Sequence, residues 1–122
     1  MAVIGIGVDL VDIARFERAL TRTPALRTRL FGPDELVKAG RDLPARSLAG
    51  RFAAKEALIK ALGDSWSMRW HDMVVTGDER GKPTFTLTGG AGEAAAALGV
   101  TRVHVSMSHD AGMAIAVVVA EN

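Results

Sequence analysis

A single acidic side chain interrupts the most apolar helical segment of the sequence. Residues 51–63 read RFAAKEALIKALG, a run of strong helix formers with a glycine where helices commonly end. At 100° per residue, apolar side chains occupy more than half of the circumference, which predicts a buried helix. Glu56 lies on this surface, one turn before Lys60. Solvated i,i+4 pairs are common and contribute only about 0.2–0.5 kcal/mol, but this pattern predicts no solvated face.

Asp9 is the second acidic candidate, because it follows the apolar run at residues 3–8. By itself a carboxylate in such a position often only caps a helix. A partly buried carboxylate such as Glu56 is unfavourable unless a cation compensates it. Mg²⁺ commonly takes one or two carboxylates and completes its shell with water and phosphate oxygens. Asp9 and Glu56, brought together, therefore predict a Mg²⁺ site, with Lys60 near the phosphates.

The segment 104–110, HVSMSHD, is a third candidate, because its polar side chains alternate with apolar ones. It is either an amphipathic edge strand with a polar face or a strand whose Ser108 and His109 hydrogen-bond a phosphorylated ligand. The sequence disfavours a catalytic triad of Ser108, His109 and Asp110, because adjacent strand residues project to opposite sides.

A basic stripe is predicted on the first helix. Arg15, Arg18 and Arg22 fall within about 60° of one another around its axis. Such a stripe is usually solvated surface. If it binds a partner, that partner should present an acidic surface.

The elements that must position these residues follow from periodicity and from chain breakers. We predict strands at 3–8, 72–77, 83–88, 101–108 and 115–119, with turns at 78–82 and 110–112. We predict helices after Asp12, between Pro24 and Gly32, after Pro33, over 51–63 and over 91–98, with a loop at 40–46. This succession of strands and helices is typical of one compact α+β domain over residues 1–122, with a largely antiparallel sheet packed against helices.

Composition narrows the class of protein. The chain has 122 residues, 48% apolar and 24% charged, as expected for one ordered globular domain. It has no cysteine, which excludes disulfides and thiolate chemistry and is compatible with a reducing compartment. The net charge is +1, no apolar run is long enough to span a membrane, and residues 1–5 lack a basic signal region. We expect a soluble cytoplasmic protein with no nucleic-acid or membrane partner.

Three segments together resemble one enzyme family. They are GIGVDLV at residues 5–11, RFAAKEA with KALG at 51–57 and 60–63, and HVSMSHD at 104–110. In order and spacing, from residue 4 to residue 120, they resemble the holo-[acyl-carrier-protein] synthases, the short single-domain 4′-phosphopantetheinyl transferases. The resemblance implies transfer of the phosphopantetheine arm of coenzyme A to a serine hydroxyl of an apo acyl carrier protein. It also implies release of adenosine 3′,5′-bisphosphate and a role in fatty acid biosynthesis.

The resemblance further implies roles for single residues. Those matching Asp9 and Glu56 bind Mg²⁺ on the diphosphate of coenzyme A, and the one matching Lys60 lies near the phosphates. The residues expected to line the coenzyme pocket are Arg51, Ser108, His109 and the turn Gly81, Lys82 and Pro83. The small members of the family are homotrimers with active sites between subunits. The stripe of Arg15, Arg18 and Arg22 matches their docking helix for the acidic carrier protein.

Phosphoryl transfer requires mainly positioning and charge neutralisation from the protein. Glu56 is the candidate base for the serine proton. One loop, residues 64–70, departs from the family, because many members have a second glycine soon after the one matching Gly63. Contacts from this loop to the coenzyme are therefore not carried over.

Two other functions are compatible with the same residues. A small RNA-binding module would use the arginine stripe and bind nucleic acid with strong salt dependence, but it leaves Glu56 unexplained. A Mg²⁺-dependent nucleotide hydrolase would use the same carboxylates and release its products without any carrier protein.

Overall fold

The computed structural model describes residues 1–63 and 67–122 and shows helices packed on one face of a small antiparallel sheet. In chain order the elements are β1 (Val3–Asp12), α1 (Ile13–Arg22), α2 (Leu26–Leu30), α3 (Pro33–Leu36), β2 (Val37–Lys38), β3 (Arg41–Asp42), α4 (Ala45–Leu62), a 3₁₀ turn (Trp70–Asp72), β4 (Met73–Gly77), β5 (Pro83–Leu87), α5 (Gly89–Leu98), β6 (Arg102–Asp110) and β7 (Met113–Glu121). The main sheet has the order β1-β7-β6, and β2-β3 and β4-β5 are separate antiparallel pairs. The predicted α+β class with antiparallel pairing is confirmed.

The two faces of the main sheet differ because successive side chains alternate along its strands. One face carries Gly5, Gly7, Asp9 and Val11 of β1, and it packs against α4. The other face carries Ile6, Val8 and Leu10 of β1. In register beside them on β7 are Val119, Val117 and Ile115. Ile6 and Leu10 are 64% and 59% exposed, so this second face is apolar and open to solvent in a single chain.

Two glycines allow α4 to contact the backbone of β1. A Cβ atom on Gly5 would lie 1.8 Å from the carbonyl oxygen of Ala61, and a Cβ atom on Gly7 would lie 1.8 Å from that of Ala57. No side chain fits at either glycine, since real Cβ atoms do not approach an oxygen so closely. The close contact holds the helix turn that carries residue 56 beside the strand that carries residue 9.

α4 is the longest helix, and its buried surface is built mostly from alanine and leucine. It has 18 residues, 11 of which are buried, and it ends at Leu62 with Gly63 as the C-cap. Gly63 thus stops the helix as the sequence predicted. None of the helices in the described ranges combines the length and hydropathy that a membrane crossing requires.

The structure corrects several predicted boundaries. Strand β1 continues past Asp9 to Asp12, because Asp9 pairs with Ala116 of β7 and lies inside the ladder. Strand β6 continues to Asp110, because this residue pairs with Met113. Long-range pairing on β7 extends both strands beyond their apolar segments, which the local pattern cannot reveal.

The predicted loop at 40–46 is also wrong. It contains strand β3, which pairs with β2, and the first residues of α4, which begins at Ala45 behind Pro44. Strands of two residues are too short to show a period of two in the sequence. The element order therefore differs from the predicted one by the short β2-β3 hairpin, which separates the third helix from the fourth.

Candidate active site

Asp9 and Glu56 line the same cavity, which lies beside α1 and has a volume of about 500 Å³. The remaining lining residues are mostly apolar: Leu10, Val11, Asp12, Arg15, Phe16, Ala19, Leu26, Leu30, Phe52 and Trp70. The wall contains three aromatic rings: Phe52 stacks on Phe16 at 5.3 Å between ring centroids and lies tilted against Trp70 at 5.5 Å. Two carboxylates that are distant in the chain thus face one concave site with an apolar side.

Glu56 is held in an environment that disfavours its charge. Burial raises the pKa of the Glu56 carboxyl, the nearby charge of Asp9 raises it further, and Lys60 opposes both effects. No side chain or backbone group in the described part of the chain donates a hydrogen bond to this carboxylate. A carboxylate in that environment is stabilised when it binds a cation or a proton.

Lys60 contacts the strand and not the glutamate on its own helix. Its Nζ donates to the carbonyl oxygen of Val8 at 3.0 Å and to Oδ1 of Asp9 at 3.1 Å. The Lys60 side chain is 54% exposed, whereas that of Asp9 is only 17% exposed. Lys60 therefore places a solvent-accessible positive charge beside Asp9, which lines the cavity.

The donor set fits a magnesium ion that is bound by two carboxylates and also by a phosphate. Asp9 and Glu56 supply two carboxylates, and no group of three or more His, Cys, Asp or Glu side chains suited to a metal occurs in residues 1–63 and 67–122. Mg²⁺ is usually bound by one or two carboxylates together with waters and substrate phosphates, and not by an all-protein cage. Asp9 and Glu56 match that requirement in number and type.

Most of the residues expected to contact coenzyme line a second cavity of about 280 Å³. It includes Gly81, Arg51, Pro83, Ser108 and His109. The remaining lining residues are Lys38, Leu43, Arg46, Ser47, Gly50, Met107 and Ala114. No residue lines both cavities, and Lys82 lines neither. Within one chain, the structure therefore separates the predicted nucleotide contacts from the two carboxylates.

Arg51 differs from the other charged residues of this second cavity because it is buried. Its Nη1 donates to the backbone carbonyl of Glu35 at 2.7 Å, and only 8% of the residue is exposed. Burial lowers the pKa of Arg51, and the charge of Glu35 opposes that effect. Ser108 and His109 are exposed and lie near the end of β6.

The three arginines of the predicted docking stripe are exposed on α1. Arg15 also lines the cavity that contains Glu56, whereas Arg18 and Arg22 line a neighbouring groove with Glu17 and Thr21. The N-terminus of α1 is fixed by Asp12, whose Oδ1 accepts a hydrogen bond from the N–H of Arg15 at 3.0 Å. The stripe is therefore continuous with the acidic site.

The sequence analysis did not identify a buried ion pair between Glu35 and Lys55, or the cavity-lining position of Asp12. A lysine within the apolar segment 51–63 was a signal for the first, because a buried ammonium requires a partner. Of the loop at 64–70, which departs from the family pattern, residues 64–66 lie outside the described residues.

Comparison with known proteins identifies the class. The model of the 4′-phosphopantetheinyl transferase superfamily matches residues 5–118. That match spans nearly the whole chain, including both carboxylates and the end of β6. The chain therefore belongs to this superfamily of transferases.

Individual relatives narrow the class further. A holo-[acyl-carrier-protein] synthase from Clavibacter michiganensis subsp. michiganensis is 61% identical over 117 residues, which cover 96% of this chain and 94% of that protein. One from Streptomyces coelicolor is 50% identical over 122 residues, covering 99% of both chains.

Solved structures that are similar to this chain are also holo-[acyl-carrier-protein] synthases. Holo-[acyl-carrier-protein] synthase from Neisseria meningitidis has a TM-score of 0.86 at 34% identity, covering 99% of this chain and 100% of its own. The enzyme from Helicobacter pylori, solved in complex with coenzyme A, has a TM-score of 0.81 at 35% identity and covers 95% of this chain and 99% of its own.

The raised pKa of Glu56 predicts a pH-dependent stability change. The folded chain disfavours the charged form of Glu56, so ionisation of this residue lowers the free energy of unfolding. The loss is complete above the folded pKa and absent below about 4.3, the ordinary pKa of glutamate. We expect Glu56→Gln to raise the melting temperature in metal-free buffer at about pH 8 and to lose this advantage near pH 4. Solvent screens a partly exposed carboxylate, so the gain should be on the order of 0.5 kcal/mol, or about 2 °C.

Glu93→Gln on the exposed side of α5 is the matched control for loss of one charge. Thermal unfolding of both variants, followed by circular dichroism from about pH 4 to about pH 8, provides the test. If both variants changed the melting temperature by the same amount at every pH in this range, the assigned environment of Glu56 would be contradicted.

Proposed function

We propose that this chain transfers the 4′-phosphopantetheine arm of coenzyme A to a serine of an apo acyl carrier protein and releases adenosine 3′,5′-bisphosphate. The observation that carries the proposal is the shared cavity of Asp9 and Glu56 in a chain that is 61% identical to a holo-[acyl-carrier-protein] synthase. Lys60, which is bonded to Asp9, adds the positive charge that a diphosphate requires.

Asp9 and Glu56 would hold Mg²⁺, and their number and type support this assignment. When bound, the ion neutralises charge on the diphosphate and on the departing nucleotide. The protein's own part is to orient the reactants and to supply a base and a cationic side chain.

In the proposed reaction, the serine oxygen forms a bond to the phosphorus that carries pantetheine. The bond between that phosphorus and the bridging oxygen breaks, and adenosine 3′,5′-bisphosphate leaves. Glu56 accepts the serine proton, and its position in the cavity shared with Asp9 supports this role. Lys60 lies where its charge can stabilise the leaving group.

The nucleotide half of coenzyme A would be bound by the second cavity. Exposed or partly exposed contacts are available there at Ser108, His109 and Pro83. Arg51 is largely buried and contributes a positive charge to the cavity wall. Lys82, in the adjoining turn, is an exposed cation suited to a phosphate. The roles of the lining residues rest on family resemblance and on their common cavity, whereas that of Lys82 rests on family resemblance alone.

The separation of the two cavities supports a homotrimer in which neighbouring chains complete each site. The uncovered apolar face of Ile6, Val8, Leu10 and their partners on β7 offers a surface through which copies can associate. A strand of one chain would then bring Ser108 and His109 to the Asp9 and Glu56 of its neighbour, which explains why no single chain contains the whole site.

The trimer proposal predicts that a charge on this face separates the chains. We expect wild-type protein to show a mass of about 39 kDa by light scattering, which is three times the 12.9 kDa of one chain. Ile6→Lys should shift the mass towards one chain and reduce transferase activity by at least about 10-fold, because a buried ammonium is unfavourable at an interface. Ala97→Lys, on exposed α5, is the control and should leave both unchanged. A fully active single-chain species would refute the shared site.

Intact-mass spectrometry of the carrier protein tests the reaction itself. Apo carrier protein incubated with coenzyme A, Mg²⁺ and this chain should gain the mass of one phosphopantetheine group. Asp9→Ala should reduce the rate of that gain by at least about 100-fold, since it removes one of two carboxylates from the site. Release of nucleotide from coenzyme A without carrier protein, and without any mass gain when carrier is added, would indicate a hydrolase.

The basic stripe of Arg15, Arg18 and Arg22 would bind the acidic carrier protein. Its exposure and its continuity with the Glu56 cavity support this proposal, because a docked carrier would present its serine at the site. A cytoplasmic location and a role in fatty acid biosynthesis complete the proposed assignment.

Reversal of charge on the stripe should affect one substrate selectively. We expect Arg18→Glu combined with Arg22→Glu to raise the KM for carrier protein by about 10-fold or more and to change the KM for coenzyme A by less than about twofold, because surface charges mainly govern encounter. Arg29→Glu combined with Arg41→Glu makes the same change in net charge at exposed positions away from α1. Equal increases in both KM values for the α1 variant would contradict the docking assignment.

A further inference from the structure

A fully buried ion pair joins α3 to α4 beside the acidic site. Nζ of Lys55 lies 2.8 Å from Oε1 of Glu35, and neither side chain has any exposure to solvent. Lys55 directly precedes Glu56 in the sequence. The reaction proposed above uses neither member of the pair, so a structural reason is needed for charges that are unfavourable to bury.

Every polar atom of the pair is satisfied by hydrogen bonds. The ammonium of Lys55 uses its three donors on Oε1 of Glu35, on the carbonyl of Leu30 at 2.7 Å and on the carbonyl of Trp70 at 3.0 Å. The carboxylate of Glu35 also accepts from the N–H of Gly32 and from the N–H of Val75, each at 3.0 Å. Lys55 is therefore fixed by contacts with three different segments of the chain.

Glu35 is hydrogen-bonded to α4 at two positions that are one helical turn apart. Its backbone carbonyl accepts the hydrogen bond from Nη1 of Arg51, and its carboxylate accepts from Lys55, four residues further along α4. Two points on one side of a helix, fixed to one residue outside it, resist rotation of the helix about its axis. The glycine contacts with β1 hold α4 at Ala57 and Ala61, and the contacts of Glu35 hold it on a different side of the helix.

The direction of Glu56 depends on that rotation. No hydrogen bond from the described residues orients its carboxylate, so the helix itself must aim the side chain. A side-chain tip about 5–6 Å from the helix axis moves by about 1 Å for each 10° of rotation. Metal–ligand distances tolerate only about 0.2 Å, and a displacement of about 1 Å at a reacting group can reduce a rate by about 100-fold.

We propose that the buried Glu35–Lys55 ion pair is a positioning device that sets the rotation of α4 and so aims the carboxylate of Glu56 at the site it shares with Asp9. The inference deepens the proposed function and rests on Glu56 acting in that site. Neither residue touches substrate in this account; both act through Glu56.

A neutral double variant separates positioning from stability. Glu35→Gln combined with Lys55→Met keeps side-chain size, removes both charges and leaves no unpaired buried ion, so it should melt above either single variant. We expect the double variant to remain folded, while kcat falls by about 10- to 100-fold and the dissociation constant for Mn²⁺ without substrates rises by about 10-fold. The KM for carrier protein should stay within about twofold of wild type, since the docking stripe is unchanged.

Ala94→Gly, at a buried position of α5, is a control for loss of stability alone. It should lower the melting temperature and leave kcat and Mn²⁺ affinity unchanged. A folded double variant with wild-type kcat and Mn²⁺ affinity would overturn the proposal and leave the ion pair a structural feature only.

Two further variants keep the test decisive. If the double variant does not fold, Glu35→Asp retains the charge and shortens the reach by one methylene, and a folded Glu35→Asp protein with wild-type kcat would equally overturn the proposal. If Glu56→Gln leaves Mn²⁺ affinity at the wild-type value, the metal-ligand assignment has failed, and kcat of the double variant alone then decides whether the pair positions Glu56.

Discussion

The close contact between α4 and β1 is the constraint on which the site depends. Gly5 and Gly7 leave no side chain between strand and helix, so the carbonyls of Ala57 and Ala61 lie where a Cβ atom would otherwise be. Two residues beyond Gly7 on the same face of the strand is Asp9, and one residue before Ala57 on the helix is Glu56. The glycine spacing thus brings together two acids that are 47 residues apart in the chain (56 − 9).

That proximity is electrostatically unfavourable in the absence of a cation. The charge of Asp9 and the burial of Glu56 both raise the pKa of Glu56, and Lys60 compensates only in part because it is half exposed and bonded to Asp9. The fold maintains this arrangement through packing of the alanine-rich face of α4 and through the buried hydrogen bonds of Lys55. A loss of stability at the carboxylates is the expected consequence of the proposed site for a cation and a phosphate.

Much of the fold could be predicted from the sequence, because the period of apolar residues and the stop signals at Gly63 and Gly99 are local. The sequence also predicted that Asp9 and Glu56 lie together, since an acid within an apolar helix requires compensation, and both line one cavity. Their roles as metal ligands and base stay predictions. The sequence could not show that Lys60 bonds to Asp9 or that Arg51 is buried against Glu35. Nor could it show that most residues expected to contact coenzyme line a separate cavity. These are long-range contacts, and β2–β3 is likewise defined only by pairing.

The most direct test of the central claim is a crystal structure of the full chain with coenzyme A and Mg²⁺. The account predicts one magnesium ion with carboxylate oxygens of both Asp9 and Glu56 at about 2.1 Å, in contact with the diphosphate. An ion on the diphosphate that neither carboxylate reaches, or one bound by only one of them with the other turned away, would contradict it.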